Sequence, residues 1–125
     1  MKKIISTDKA PAAIGPYSQA VEVNGTLYIS GQIPINAATG KIVDGDVSAQ
    51  AEQVFKNIRA ILDEAGYSFT DVVKSTVFIA DMSLFPELNE VYKKYYSQDC
   101  PARSTIAVKG LPLGALVEIE TIAVK

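Results

Sequence analysis

The sequence predicts a single α+β domain in which two helices lie on one face of a mixed β-sheet. The chain has 125 residues, which is the size of one domain with one core. Two stretches carry apolar residues at helical spacing, and the segments around them alternate or are rich in β-branched residues, as strands are. We therefore treat residues 1–125 as one domain.

The first predicted element is a β-hairpin. Residues 10–16 contain two prolines and three alanines and indicate an ordered loop. Residues 17–23 and 26–30 then flank Asn24-Gly25, the dipeptide best suited to the two positive φ angles of a type I′ turn. The segment that follows, up to Asp46, is predicted to be a loop.

The first helix is predicted over residues 47–65, where apolar residues recur at intervals of three and four. Asp46 is the expected N-cap and Gly66 the expected end of the helix. Glu52 and Lys56 are spaced for an ion pair on the wet side of this helix.

A strand and a second helix follow. Residues 71–80 are rich in β-branched residues, which is typical of a central strand. Residues 83–97 again show helical periodicity, and Pro86 falls in the first turn, where a missing N–H costs little.

The last two predicted strands, residues 101–108 and 116–124, carry charges among apolar residues. The Gly and Pro residues between them indicate a turn, so we expect direct antiparallel pairing. Pairing Ala107 with Glu118 then places Arg103 and Glu118 on one face, because side chains alternate with a period of two. Their backbones would lie about 13 Å apart, at a rise of about 3.3 Å per residue.

Arg103 and Glu118 are therefore candidates for a site that holds a small organic acid. A guanidinium binds a carboxylate with two parallel hydrogen bonds, and a glutamate can orient water and exchange protons. The structural alternative is an ion pair between Arg103 and Glu120, with Glu118 facing solvent. Spacing alone favours that alternative.

Several strands carry apolar residues on both faces, for example the run Leu27, Tyr28 and Ile29. Two helices cover only one side of a sheet, and an uncovered apolar face is normally an interaction surface. We therefore expect a homo-oligomer, with crevices between subunits as natural places for a site.

Composition excludes several chemistries. The chain has no His, so it holds no Ser-His-Asp or Cys-His nucleophilic system and no His-based metal site. Cys100 is its only cysteine, which fits a cytoplasmic location. A net charge of −2 argues against nucleic acid and anionic membrane as partners. No apolar run approaches the roughly 20 residues of a membrane span.

Four segments, in order, carry a resemblance to a known family: APAAIGPYSQA (10–20), ISGQIP (29–34), PARST (101–105) and VEIE (117–120). They closely resemble the RidA/YjgF family of enamine/imine deaminases, and the match runs across essentially the whole chain. The resemblance implies a chorismate-mutase-like fold, a homotrimer with sites between subunits, and no metal or organic cofactor.

The activity implied by the resemblance is hydrolysis of 2-aminoacrylate, 2-aminocrotonate and their imines, 2-iminopropanoate and 2-iminobutanoate, to 2-oxo acids and ammonia. This reaction protects pyridoxal-phosphate enzymes from a reactive by-product. Arg103 would bind the substrate carboxylate, and Glu118 would position or activate the attacking water. The pocket would also be lined by Tyr17, Ser30, Gly31, Asn89 and Thr105.

Thr105 departs from several deaminases of the family, which carry Cys at this position. Its hydroxyl still forms hydrogen bonds, so we expect activity without thiol chemistry. Two alternative functions remain open at this point: a sensor that binds 2-oxo acids without turnover, and an RNA-cleaving inhibitor of translation. The acidic charge and the absence of His argue against the second.

Overall fold

A computed structural model describes residues 1–125. Its elements are the helices α1 (Val47–Ala65) and α2 (Phe85–Tyr95) and the strands β1 (Lys3–Ile5), β2 (Ala20–Val23), β3 (Thr26–Gln32), β4 (Ile35–Asn36), β5 (Lys41–Ile42), β6 (Val72–Ile79), β7 (Ala102–Ala107) and β8 (Val117–Val124). Six strands form one sheet in the order β1-β2-β3-β8-β6-β7. β4 pairs only with β5, so the segment before Asp46, predicted to be a loop, contains a short antiparallel hairpin. The predicted α+β class, with a mixed sheet and two helices, is confirmed. Neither helix has the length and apolar character needed to cross a bilayer.

Helix α1 begins and ends where its capping residues predict. The Asp46 carboxylate accepts a hydrogen bond from the Ala49 amide at 3.0 Å, which satisfies one of the free N–H groups of the first turn. Gly66 ends the helix with a φ of +81°, a conformation that glycine adopts without steric cost.

The predicted pair of Glu52 with Lys56 does not form. Glu52 instead accepts hydrogen bonds from Lys94 and from the Tyr95 hydroxyl, both on α2. The Lys94 bond, followed by the Tyr95 bond, lowers the pKa of Glu52. Beside this cluster the Phe55 ring stacks on Tyr95 at 4.3 Å between centroids, so polar and aromatic contacts both hold the two helices together.

The predicted direct pairing of the last two strands is wrong, because β6 lies between them. β7 is parallel to β6, and β8 is antiparallel to β6 on its other side. A strand, a helix and a strand in sequence form a crossover, and a crossover makes its two strands parallel. α2 is the helix of that crossover, and residues 108–116 carry the chain from one side of β6 to the other.

This order also overturns the predicted shared face of Arg103 and Glu118. Arg103 pairs with Ser75, which is fully buried beneath the helices. Glu118 pairs with Phe78, whose side chain points to the other face, because it is three residues along β6 from Ser75. The two candidate residues therefore lie on opposite faces of the sheet.

The face opposite the helices, here called the open face, carries exposed apolar side chains, as the sequence predicts. The residues that share it by strand register include four large apolar ones that are 45–52% exposed: Ile4, Tyr28, Ile106 and Val124. Apolar side chains spread over one sheet face, with nothing packed on them in a single chain, are typical of an association surface.

The buried side chain of Gln19 shapes the loop that leads to Tyr17. Its amide oxygen accepts from the Thr7 amide at 2.7 Å. Its amide nitrogen donates to the carbonyls of Thr7, Ala10 and Pro11 at 3.0, 3.3 and 2.8 Å. One side chain thus replaces the regular hydrogen bonds that this segment lacks.

Replacing Gln19 should therefore destabilise the protein. We expect Gln19→Ala to lower the free energy of unfolding by about 1–3 kcal/mol, because partly buried backbone groups lose their partners. Gln98→Ala, at an exposed position, is the matched control and should change it by less than about 0.5 kcal/mol. Urea denaturation at one protein concentration measures both, and equal effects would contradict the role assigned to Gln19.

Candidate active site

Arg103 is held in a fixed orientation by α2. Its Nη1 donates to the Asn89 side-chain oxygen at 2.8 Å. Its guanidinium carbon lies 5.1 Å from the Phe85 ring centroid and 4.7 Å from that of Tyr92. These three α2 residues are spaced four and three apart, so they share one helix face. Thr105, two residues along β7, lies on the same sheet face as Arg103.

We call Arg103, Asn89 and Thr105 the arginine half-site. A guanidinium has five N–H donors, and Asn89 engages one nitrogen, which leaves donors for a carboxylate. Arg103 and Asn89 border an open hollow of about 340 Å³, enough for a small organic acid. Burial raises the pKa of the Tyr92 hydroxyl in this hollow, while the charge of Arg103 acts in the opposite direction.

A second group of predicted residues surrounds a β-bulge in β3. Ile29 pairs with Thr121 and Gln32 with Ile119, so Ser30 and Gly31 together oppose the single residue Glu120. A Cβ atom on Gly31 would lie 2.6 Å from Glu118 Oε2 and 2.9 Å from its Cδ. Position 31 therefore requires glycine, because the Glu118 carboxyl occupies the space that any side chain there would need.

The bulge is held rigidly, and Tyr17 lies beside it. The Ser30 hydroxyl donates to the Ser18 carbonyl at 2.6 Å, and the Ser30 amide donates to the Gln19 carbonyl at 3.0 Å. The Ser30 carbonyl accepts from the side-chain amide nitrogen of the buried Gln32 at 3.1 Å. Tyr17 directly precedes Ser18 and is 54% exposed, so its ring is available to a ligand. We call Tyr17, Ser30, Gly31 and Glu118 the glutamate half-site.

The Glu118 carboxyl holds its proton more tightly than an ordinary glutamate. Burial is the main cause of its raised pKa, and the negative charge of Glu120 adds to it. A carboxyl with a raised pKa, held beside the hydrogen-bonded backbone of the bulge, is suited to transferring protons to and from a ligand. No group of three or more His, Cys, Asp or Glu side chains is placed to hold a metal ion.

The predicted residues form two separate half-sites within one chain, rather than a single complete site. Arg103, Asn89 and Thr105 face the helix side, whereas Glu118 and Gly31 face the open side, with β6 between the strands that carry Arg103 and Glu118. The predicted alternative, an ion pair of Arg103 with Glu120, is also wrong, because the two residues lie on opposite faces of the sheet.

Sequence reasoning missed the two rings that flank Arg103, namely Phe85 and Tyr92. Their spacing of four and three residues from Asn89 was a usable signal, because it puts all three on one helix face. Glu120, the predicted alternative partner of Arg103, instead shares the open face of β8 with Glu118.

Comparison with known proteins identifies the family and supports the fold. The sequence profile of the family described as Endoribonuclease L-PSP matches residues 7–125. A RutC family protein of Pyrococcus horikoshii is 51% identical, covering 100% of this chain and 99% of the relative. The 2-iminobutanoate/2-iminopropanoate deaminase of Mus musculus is 52% identical, covering 100% of this chain and 93% of the relative. The crystal structure of the Rid family protein YyfA from Yersinia pestis aligns with a TM-score of 0.97 at 50% identity, covering 100% of both chains.

The fold and these matches define a small α+β protein of the Rid type. Both helices, the strands β2 to β8 and the residues of the four sequence motifs lie within the matched region. The chain belongs to the RidA/YjgF family, as its motifs indicate.

The contact between Gly31 and Glu118 gives a direct prediction. In Gly31→Ala the new methyl group must displace the Glu118 carboxyl towards water. Because burial is the main cause of the raised pKa, we expect the pKa of Glu118 to fall towards its ordinary value. A carbon-13 NMR titration of the glutamate carboxyls measures this change.

The matched control is Gly110→Ala, because a Cβ there meets nothing within 4 Å. Its Glu118 titration should coincide with that of the wild type. A Glu118 midpoint that stays at the wild-type value in Gly31→Ala would contradict the packing described.

Proposed function

We propose that this protein hydrolyses small 2-imino acids, such as 2-iminopropanoate and 2-iminobutanoate and the enamines in equilibrium with them, to 2-oxo acids and ammonia. The observation that carries the proposal is the complementarity of the half-sites. One offers an immobilised guanidinium for a carboxylate, and the other offers a half-buried carboxyl for proton transfer to an imine. The deaminase name of mammalian relatives about half identical to this chain supports it.

We further propose that the working site lies between two copies of the chain in a homotrimer. Within one chain the half-sites lie on opposite faces of the sheet, so a molecule of a few atoms cannot contact both. The open face carries the glutamate half-site among exposed apolar residues. Packing that face against another copy would bury this surface. It would also place the other copy's edge strand β7, which carries Arg103, close to Glu118.

In the proposed reaction Arg103 binds the substrate carboxylate and thereby fixes the imine carbon relative to Glu118. Glu118 in its acid form gives its proton to the imine nitrogen, which makes the carbon more electrophilic. The resulting carboxylate then takes a proton from a water molecule as the water oxygen bonds to that carbon. The product of this step is a carbinolamine, and Glu118 is again protonated.

The second half of the reaction also uses the Glu118 carboxyl. Glu118 protonates the amine nitrogen, the carbon–nitrogen bond breaks, and the hydroxyl of the carbinolamine returns a proton to Glu118 as the carbonyl forms. The sum is one imine and one water converted to one 2-oxo acid and one ammonia. Tyr17, the Ser30-Gly31 backbone and Thr105 would enclose the substrate and exclude bulk water.

The first test is kinetic. An amino-acid oxidase generates the imine in situ, and the release of 2-oxo acid is compared with a control that lacks this protein. We expect Arg103→Ala to lower kcat/KM by at least about 100-fold, because a charged double hydrogen bond to the substrate is lost. Arg59→Ala is the control, because Arg59 contacts the rings of Phe69 and Tyr95 instead, and it should keep the wild-type rate.

A wild-type rate equal to the control without protein would reject the deaminase function. Calorimetry with 2-oxobutanoate distinguishes an enzyme from a metabolite sensor, since binding of this acid without any turnover would identify a sensor.

The second test addresses the site between copies. Arg103→Ala and Glu118→Gln are each expected to be inactive, but a 1:1 mixture refolded together should recover about a quarter of the wild-type activity. That fraction of head-to-tail contacts joins an intact arginine half-site to an intact glutamate half-site. A mixture no more active than its two components would show that each site is built within one chain.

A further inference from the structure

Glu118 and Glu120 form a pair of carboxylates on the open face of β8. They are separated by one residue, so their side chains leave the same face about 7 Å apart. Neither takes part in an ion pair within the chain. Glu118 is half-buried beside the bulge, whereas Glu120 is exposed. Two like charges this close on one sheet face repel each other unless something neutralises them.

Within one chain, the elements around the pair supply no neutralising charge at close range, and the nearest cation of the proposed assembly, Arg103 of another copy, is engaged by the substrate carboxylate. From β3 the titratable group on this face is the Tyr28 hydroxyl, which borders a small hollow with Glu120. From β6 it is Lys74, two residues from the partner of Glu120. The Lys74 ammonium donates to the Ser104 hydroxyl of β7 at 3.2 Å, and is therefore drawn away from β8. β7 itself presents no charged side chain to this face.

We propose that Glu120 is a positioning residue: its carboxylate, on the same face of β8 as Glu118, acts together with the burial of Glu118 beside the bulge to favour the acid form in which Glu118 meets the substrate. This inference rests on the proposed function, in which the first step is transfer of that proton to the imine nitrogen. The two carboxylates have different tasks because of their surroundings. Water solvates the exposed Glu120, whereas Glu118 is enclosed by the Ser30-Gly31 bulge and gains more from being neutral.

The direction of the effect follows from the charges. A negative neighbour disfavours ionisation of Glu118, so removing it favours ionisation and lowers the pKa of Glu118. The acid form is then lost at lower pH. Glu120→Asp keeps the charge and should leave the titration close to that of the wild type. Glu64→Gln removes the same charge from an exposed site on α1, across the sheet, and is the control.

The test is a carbon-13 NMR titration of the Glu118 carboxyl in the assembled protein. We expect its midpoint to move to lower pH in Glu120→Gln, and to stay at the wild-type value in Glu120→Asp and Glu64→Gln. An unchanged or higher midpoint in Glu120→Gln overturns the inference. This readout needs no turnover, so it remains decisive even if the proposed deaminase function fails.

The kinetic counterpart is the pH profile of kcat/KM in the imine assay. In Glu120→Gln the limb on which activity falls with rising pH should move to lower pH, with rescue by Glu120→Asp. A uniform loss of activity at every pH, without movement of that limb, would indicate a merely structural role and overturn the inference. Absence of turnover in the wild type would reject the proposed function separately.

Discussion

The arrangement of this protein depends on one constraint: two helices cover only one face of a six-stranded sheet. Side chains alternate along each strand, so every second residue of β6 and β8 enters the core and the residues between them remain on the open face. Val77 and Ile119 are fully buried, whereas Glu120 and Ile106 are exposed. The positions of the candidate functional groups follow from the same alternation, because one residue of displacement along a strand exchanges the two faces.

Local signals in the sequence predicted both helices and the five longer strands β2, β3, β6, β7 and β8, but not the short strands β1, β4 and β5. Asp46 and Gly66 bound α1 because capping depends only on neighbouring residues, and Asn24-Gly25 forms the turn between β2 and β3 for the same reason. The pairing of strands was not predictable in this way. Periodicity identifies the residues that share a face of one strand, but it does not identify the neighbouring strand. That depends on the crossover through α2, which places β6 between β7 and β8.

The candidate site, like the fold, could be predicted only in part from the sequence. Chemistry and family resemblance select Arg103 and Glu118 from the sequence, yet the interactions that prepare them come from distant segments. The rings of Phe85 and Tyr92 flank the guanidinium from α2, and the bulge in β3 makes room for the Glu118 carboxyl. A motif can identify Gly31, but the steric reason for a glycine there exists only once β3 and β8 are paired.

The open face combines two requirements that conflict. The proposed association of copies would favour apolar side chains such as Ile4, Tyr28 and Val124, whereas a half-buried carboxyl with a charged neighbour on the same strand would weaken packing. Apolar residues in place of Glu118 and Glu120 would stabilise such a face more. These two carboxylates therefore interrupt the apolar character of the face beside a bulge and a required glycine. Violations of this kind concentrate at functional sites, and here the break falls on the residue that the chemistry of imine hydrolysis would use as its acid.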